Sequence, residues 1–134
     1  MYRKDLIADE AQKFAQLIAK LLGLKNTNPD EAKQLYQQSL SAEFGLDENT
    51  LLQLSNADFG ALLEQRNYNA QKLDGLAQML YLEAEPFTAD QATLTTLQKV
   101  LIIFDRLEQH YHVQSFENIS RRNQINQYLK QQHA

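Results

Sequence analysis

Cysteine and tryptophan are absent from this sequence, and glycine and proline are scarce, at four and two residues. Without cysteine, the protein can form no disulfide, thiolate zinc site or cysteine nucleophile. Few glycines and prolines mean few residues that interrupt a helix. A chain of 134 residues still buries about two-thirds of its unfolded surface, so we expect an ordinary apolar core.

Long apolar runs and an excess of positive charge are also absent. The longest apolar run, Val100–Phe104, is far shorter than the ~20 residues of a membrane-spanning helix. The basic residues Arg3 and Lys4 are followed by Asp5 and Asp9 instead of the apolar core of an export signal. A net charge of -4 disfavours binding to phosphate backbones. We therefore predict a cytoplasmic protein with neither a membrane nor a nucleic-acid partner.

Apolar residues recur at helical spacing along most of the chain, and no strand-like alternation is present. The first helix is predicted over Tyr2 to Leu22, with a wide amphipathic stripe formed by Leu6, Ile7, Ala11, Phe14, Leu17, Ile18, Leu21 and Leu22. Gly23 and Gly45 are each followed by leucine and are predicted to be left-handed C-terminal caps.

Helix starts are marked by capping residues. Asn28 before Pro29 is a predicted N-cap, and Thr88-Ala89-Asp90-Gln91 reads as a capping box with Thr88 at the N-cap. Further caps are predicted at Asp47, for a short helix holding Leu51, Leu52 and Leu54, and at Ser55, Asn67 and Asn69.

The helix after the Thr88 box is predicted to be central and to run to about His112, because apolar residues surround it on nearly all sides. A last helix should follow Ser115, carrying Phe116, Ile119, Ile125, Tyr128 and Leu129. The sequence thus predicts one all-α domain over residues 1–134, with five to seven helices stacked as antiparallel pairs in a tetratricopeptide-like arrangement or an irregular bundle.

Part of the chain resembles known helical proteins. Ala32, Tyr36 and Ser39 have the small-aromatic-small spacing of the second helix of a tetratricopeptide repeat. Together with the opening Met1–Ile7, the Leu21–Leu24 helix end and the Gly45-Leu46-Asp47 turn, the chain resembles an uncharacterised family of small bacterial helical proteins. The resemblance implies a helical fold and a bacterial setting, and it supplies no catalytic residues.

The best candidate for metal chemistry is Asp105, Glu108 and His112, three potential ligands on one face of the central helix. A divalent ion needs further ligands, and the sequence provides no matching Glu-x-x-His on a second helix. The other interpretation is that these residues edge the apolar stripe and hydrogen-bond to neighbouring segments. Of the other histidines, His110 is predicted to be exposed and His133 to lie in a frayed tail.

Other charged and aromatic groups offer weaker signals. Asp74, Glu83, Glu85 and Asp90 form an acidic stretch that suits either a cationic ligand or a solvated helix face. Arg121, Arg122 and Lys130 are interpreted as an ordinary solvated face. Among the tyrosines, the sequence assigns three to the core and three to the surface: Tyr36, Tyr81 and Tyr111 to the core, and Tyr2, Tyr68 and Tyr128 to the surface.

The sequence predicts no catalytic or cofactor residue, and no metal ligand beyond the Asp105, Glu108 and His112 candidates. It favours a non-enzymatic helical module, for protein interaction or scaffolding, that binds another protein or itself through an apolar helix face such as that of the first helix. The alternative is a small-ligand-binding or metal-dependent enzyme whose site lies between the central helix and the acidic stretch.

Overall fold

The computed structural model describes the backbone of residues 2–132 and the side chains of residues 9–132. Within this range the protein contains seven α-helices and no β-strand, which confirms the predicted all-α class. The helices are α1 (Tyr2–Thr27), α2 (Pro29–Phe44), α3 (Glu48–Gln53), α4 (Asn56–Arg66), α5 (Ala70–Ala84), α6 (Gln91–His110) and α7 (Phe116–Gln132). None of these helices, over the described residues, has the length and apolarity of a membrane span.

The chain divides into two compact units, Met1–Gln53 with α1 to α3 and Leu54–Ala134 with α4 to α7. The prediction of a single domain over residues 1–134 stays a prediction.

In the first unit, α1 and α2 form an antiparallel hairpin. The Phe14 ring stacks on Phe44 with centroids 5.7 Å apart, and Lys13 forms an ion pair with Glu43 at 2.7 Å. Of the predicted stripe on α1, Phe14 and Leu21 are buried, and Leu17 and Ile18 are half-buried. Ala11 and Leu22 are exposed, Leu22 at 50%, so their assignment to the buried stripe is wrong. The Phe14 and Leu21 part of this apolar face therefore packs within its own unit. The side chains of Leu6 and Ile7 lie outside the described residues, as does that of Tyr2.

One of the two predicted glycine caps is wrong. α1 continues through Gly23 to Thr27, and the Thr27 hydroxyl donates to the Gly23 carbonyl at 2.9 Å. The backbone N–H of Asn28 then donates to the Leu24 carbonyl at 2.6 Å. A glycine costs only about 1 kcal/mol inside a helix, so the continuing backbone hydrogen bonds outweigh the local stop signal.

The other glycine cap is confirmed. Gly45 has φ 64°, in the left-handed region, and the backbone N–H of Leu46 returns to the Leu40 carbonyl at 3.1 Å. Leu46 is buried, so its side chain closes the end of α2. Asp47 then caps α3 by accepting from the Thr50 backbone N–H, but Leu54 lies outside that helix.

Several N-caps are also confirmed. The Asn28 side chain accepts from the Glu31 backbone N–H, and Ser55 and Asn69 cap α4 and α5 in the same way. Asn67 instead ends α4 in a left-handed conformation, with φ 51°. At α6 the predicted Thr88 cap is wrong: Asp90 is the N-cap and accepts from Thr93 N–H at 2.7 Å, while the Thr88 hydroxyl donates to the Asp90 carboxylate.

In the second unit α6 is the central helix, as predicted, because α4, α5 and α7 all pack against it. Its fully buried apolar residues are Leu97, Val100, Ile103, Phe104 and Leu107. α6 ends at His110, two residues before the predicted end. α7 follows the Ser115 break, as predicted, and Ile125 and Tyr128 are buried on its inner face.

Candidate interaction surface

The predicted metal candidates face an arginine of α7. Arg122 donates one Nη to Asp105 at 2.9 Å and the other to Glu108 at 2.7 Å. The same guanidinium lies over the Phe104 ring, 5.7 Å from its centroid. This pair of hydrogen bonds uses the charges of both carboxylates to hold α7 on α6. The contacts therefore favour the second interpretation of Asp105 and Glu108, in which they bond to a neighbouring segment.

His112 does not join the two carboxylates on a common helix face. It lies beyond the end of α6 with a left-handed backbone, φ 57°, and it is exposed. Within the side chains of residues 9–132, no three histidine or acidic groups come together as metal ligands. His110 is exposed as predicted and its ring contacts Tyr111 edge-on, whereas His133 lies outside the described residues.

The interpretation of Arg121 and Arg122 as solvated cations is wrong. Arg121 is half-buried, donates to the Asn118 side chain at 2.9 Å and lies over the Tyr81 ring. Asn118 is 5% exposed and in turn donates to Asp74 on α5 at 2.9 Å. These contacts form a set of polar interactions between α5 and α7, which we call the α5–α7 seam. The residues of the two helices are far apart in sequence, so their spacing could not predict these contacts.

The acidic stretch also has local structural roles. Asp74 accepts from Gln78 as well as from Asn118. Asp90 caps α6, and hydrogen bonds from the Thr88 hydroxyl and from Thr93 lower the pKa of its carboxyl below the ordinary value. The two ends of the stretch therefore serve different elements, the α5–α7 seam and the start of α6.

The assignment of the tyrosines is partly wrong. Tyr36 and Tyr81 are buried as predicted, but Tyr68 and Tyr128, assigned to the surface, are 8% and 6% exposed. Tyr128 donates its hydroxyl to the Thr88 carbonyl, and burial raises the pKa of both Tyr68 and Tyr128. A tyrosine near a helix end can thus be buried when its hydroxyl reaches a backbone carbonyl.

A small pocket lies at the corner between α2 and α3 and is lined largely by polar side chains such as Gln37, Ser41 and Asp47. Its Glu48 carboxylate accepts from Lys33 at 2.6 Å and from Gln37 at 2.9 Å. The Asp47 carboxylate caps α3. The acidic groups of this pocket therefore have structural partners that explain their positions.

The clearest unexplained feature is a set of exposed apolar side chains where α7 begins. Phe116 is 89% exposed, Val113 38% and Ile119 37%. We call these three residues the 113–119 surface. Leaving a phenylalanine in water forgoes about 1.5–3 kcal/mol of burial, and neighbouring exposed apolar residues are typical of interaction sites.

The backbone around the 113–119 surface is well fixed. The left-handed turn at His112 ends α6, and the N–H of Val113 returns to the Leu107 carbonyl at 2.9 Å. Ser115 then accepts from the Asn118 backbone N–H at 3.1 Å and starts α7. On the other side of the turn, the Tyr111 hydroxyl donates to the Tyr68 carbonyl. Exposed apolar groups on a fixed backbone lose little entropy on binding.

The sequence does contain a signal for the 113–119 surface, in the angular positions of the apolar residues of α7. The apolar residues predicted for the last helix include both Phe116 and Ile125, yet nine residues are about two and a half helical turns, so their side chains point in opposite directions. Because Ile125 is fully buried, Phe116 has to face away from α6. None of the three residues of the 113–119 surface is among the site residues predicted from the sequence.

Comparison with known proteins adds no further identification: no protein-family model, curated protein or solved structure matches the chain. Ala32, Tyr36 and Ser39 are all buried on α2, as close helix packing requires. The resemblance to bacterial tetratricopeptide-like proteins stays a prediction.

Proposed function

We propose that this protein is a non-enzymatic helical module that binds another protein through the 113–119 surface. The observation that carries the proposal is the exposure of three apolar side chains, Val113, Phe116 and Ile119, within a short stretch of chain whose backbone is held by hydrogen bonds. Large aromatic side chains are the typical anchors of protein interfaces.

The chemistry around the surface supports a protein ligand. Gln114, Glu117, Ser120 and Asn123 are exposed neighbours in the chain, so the apolar centre has a polar and mostly uncharged rim. This composition is that of a protein interface, with an apolar core and a hydrogen-bonding edge. Of these four residues Glu117 alone is charged, and the cations of Arg121 and Arg122 are engaged with Asn118, Asp105 and Glu108; this favours a partner held by apolar contact with little electrostatic steering.

The occupant that fits best is an amphipathic helix of another protein. Three apolar side chains form only the centre of a standard interface of about 800 Å² per partner, and a helix with apolar residues at i, i+3 and i+4 presents a ridge of matching width. Two copies meeting at this surface would contribute the same three residues twice, together with two Glu117 carboxylates close to the symmetry axis. We therefore propose a different protein, with self-association as a competing outcome of the test.

The setting is part of the same proposal. We infer a bacterial cytoplasmic protein with tetratricopeptide-like helix packing, supported by the resemblance of the Ala32–Ser39 segment. The enzymatic alternative receives no support from the geometry, because Asp105 and Glu108 face Arg122.

The test places a photo-crosslinking amino acid at position 116, with the same group at exposed Glu64 on α4 as the control. The proposal expects one protein of the native cell to crosslink at 116 and not at 64. This protein is then purified, and its affinity is compared for the wild-type chain, Phe116→Ser and Leu22→Ser. Leu22 is a second exposed apolar residue, at 50%, and lies outside the surface.

Loss of a central aromatic anchor weakens binding by about 30-fold or more, so Phe116→Ser should bind much more weakly while Leu22→Ser binds normally. A crosslink only to a second copy of the chain, or equal affinities for all three proteins, would contradict the proposed occupant. Because Phe116 is 89% exposed, its substitution leaves folding stability within about 0.5 kcal/mol, so weaker binding cannot be blamed on unfolding.

A further inference from the structure

Lys99 is a buried lysine that the proposed function does not use. It lies on α6 with 1% of the residue exposed, among the most buried side chains of the second unit. Lysine is almost never fully buried without a partner of opposite charge. Over the described side chains, no carboxylate forms an ion pair with it, and burial lowers the pKa of its ammonium.

The Lys99 ammonium contacts the segment that leads into α4. Its Nζ donates to the Leu54 carbonyl at 2.8 Å and lies 5.6 Å from the centre of the Phe59 ring on α4. Beside it, the Asn56 side chain donates to Gln98 at 3.4 Å. Residues 98 and 99 of α6 thus hold the backbone and side chains just before and inside the first turn of α4.

Leu54, whose carbonyl accepts from Lys99, lies in the short non-helical stretch between α3 and α4. α3 ends at Gln53, and Leu54 is the first residue of the second unit. Leu54 and Ser55 are not helical, and Ser55 is the N-cap of α4. We call Leu54–Asn56 the junction segment. Its backbone is held to α6 by a side chain, because neither neighbouring helix supplies a bond to the Leu54 carbonyl.

The energetics indicate that Lys99 is a poor choice for core stability alone. An ammonium has three donors, and a single carbonyl accepts from it here. A methionine of similar length would fill the same space without desolvating a charge. The feature that methionine cannot supply is the bond to Leu54.

We propose that Lys99 is a latch for the junction segment: its ammonium holds the Leu54 carbonyl, and its release opens this segment and the first turn of α4 while α5 to α7 stay folded. The latch is a conformational device, distinct from the 113–119 surface. The start of α4 can then open locally without unfolding of the rest of the second unit.

The test measures amide hydrogen exchange in the full-length protein, in wild type, Lys99→Met and the exposed-lysine control Lys130→Met. The reporters are the amides of Asp58 and Phe59, which bond to the Ser55 side chain and carbonyl. Loss of a hydrogen bond to a charged donor should speed their exchange at least about tenfold in Lys99→Met. Core amides of α5 and α6 should change by less than about twofold, and Lys130→Met should exchange like wild type.

Unchanged exchange at Asp58 and Phe59 in Lys99→Met would overturn the latch. Equal acceleration throughout α4 to α7 would overturn it too, since Lys99 would then support the whole unit. Should Lys99→Met fail to fold, the wild-type protein decides: at pH 9, amine-reactive labelling of Lys99 should follow the opening rate of the Asp58 and Phe59 amides. Labelling only at the rate of global unfolding would exclude a separate opening.

Discussion

At the scale of single residues, charged groups that looked available for chemistry hold helices together. Asp105 and Glu108 receive the two Nη groups of Arg122, and Asp74 receives the Asn118 amide. Sequence spacing located the carboxylates correctly, but their partners lie on α7. Pairing across helices depends on tertiary packing. Helical spacing within one element could therefore not distinguish a metal ligand from a carboxylate that pairs with another helix.

We predict that Arg122→Ala destabilises the protein by about 1 kcal/mol, through loss of the two hydrogen bonds to the carboxylates and of the contact with Phe104. The estimate is kept small because Asp105 is 54% exposed and water screens its bond to Arg122. Arg122→Lys should recover only part of the loss, since lysine cannot bond both carboxylates in the same planar geometry. Urea unfolding measures both variants, and a loss for Arg122→Ala no larger than that of Lys130→Ala would contradict this role of Arg122.

Lys99 gives a pH-dependent prediction. Burial lowers the pKa of its ammonium in the folded state, so between the folded pKa and the unfolded value near 10.5 the unfolded chain binds more protons. The contribution of Lys99 to the free energy of unfolding should therefore rise with pH across this window. The raised pKa of Tyr68 and Tyr128 acts in the opposite direction near pH 10, but equally in wild type and Lys99→Met, so the difference between the two proteins reports Lys99. Lys99→Met should lack this rise. Parallel stability curves for the two proteins from pH 7 to 10.5 would show that Lys99 titrates alike in both states.

At the scale of elements, the sequence predicted helix starts better than helix ends. Asn28, Ser55 and Asn69 cap as predicted, because an N-cap depends on a side chain and a backbone N–H three residues away. The Thr88 cap failed because Asp90 competes for the same role two residues later. The predicted cap at Gly23 is wrong because α1 continues through this glycine to Thr27, and a glycine can act as a C-cap only where the helix ends.

The two left-handed helix ends predict opposite effects of substitution. At Gly45, φ 64°, a side chain is strained, so Gly45→Ala should lower stability by about 1 kcal/mol. At His112, φ 57°, that strain is already present, so His112→Gly should raise stability by about 0.5–1 kcal/mol. Thermal unfolding of both variants tests the pair, and a loss of stability in His112→Gly would indicate that the imidazole makes contacts that outweigh the backbone strain.

At the scale of the whole molecule, periodicity was enough to predict an all-α protein and the central position of α6. It was not enough to predict the exposed surface, because an apolar residue in a helical sequence is counted toward the core by default. The sequence places Phe116, Ile119 and Ile125 together on the last helix, and only their angular positions separate the exposed Phe116 and Ile119 from the buried Ile125. The face of α1 shows the reverse in part: the sequence favours it as a partner surface, yet its Phe14 ring stacks on Phe44 of α2. Leu22 of the same face is exposed.

The most direct measurement is the ratio of the dissociation constants of Phe116→Ser and wild type for the protein that crosslinks at position 116. A protein anchored by Phe116 should bind Phe116→Ser about 30-fold or more weakly, at unchanged stability and with Leu22→Ser as the matched control. A ratio close to one would show that the exposed phenylalanine is not a binding anchor, and it would contradict the proposed role of the 113–119 surface.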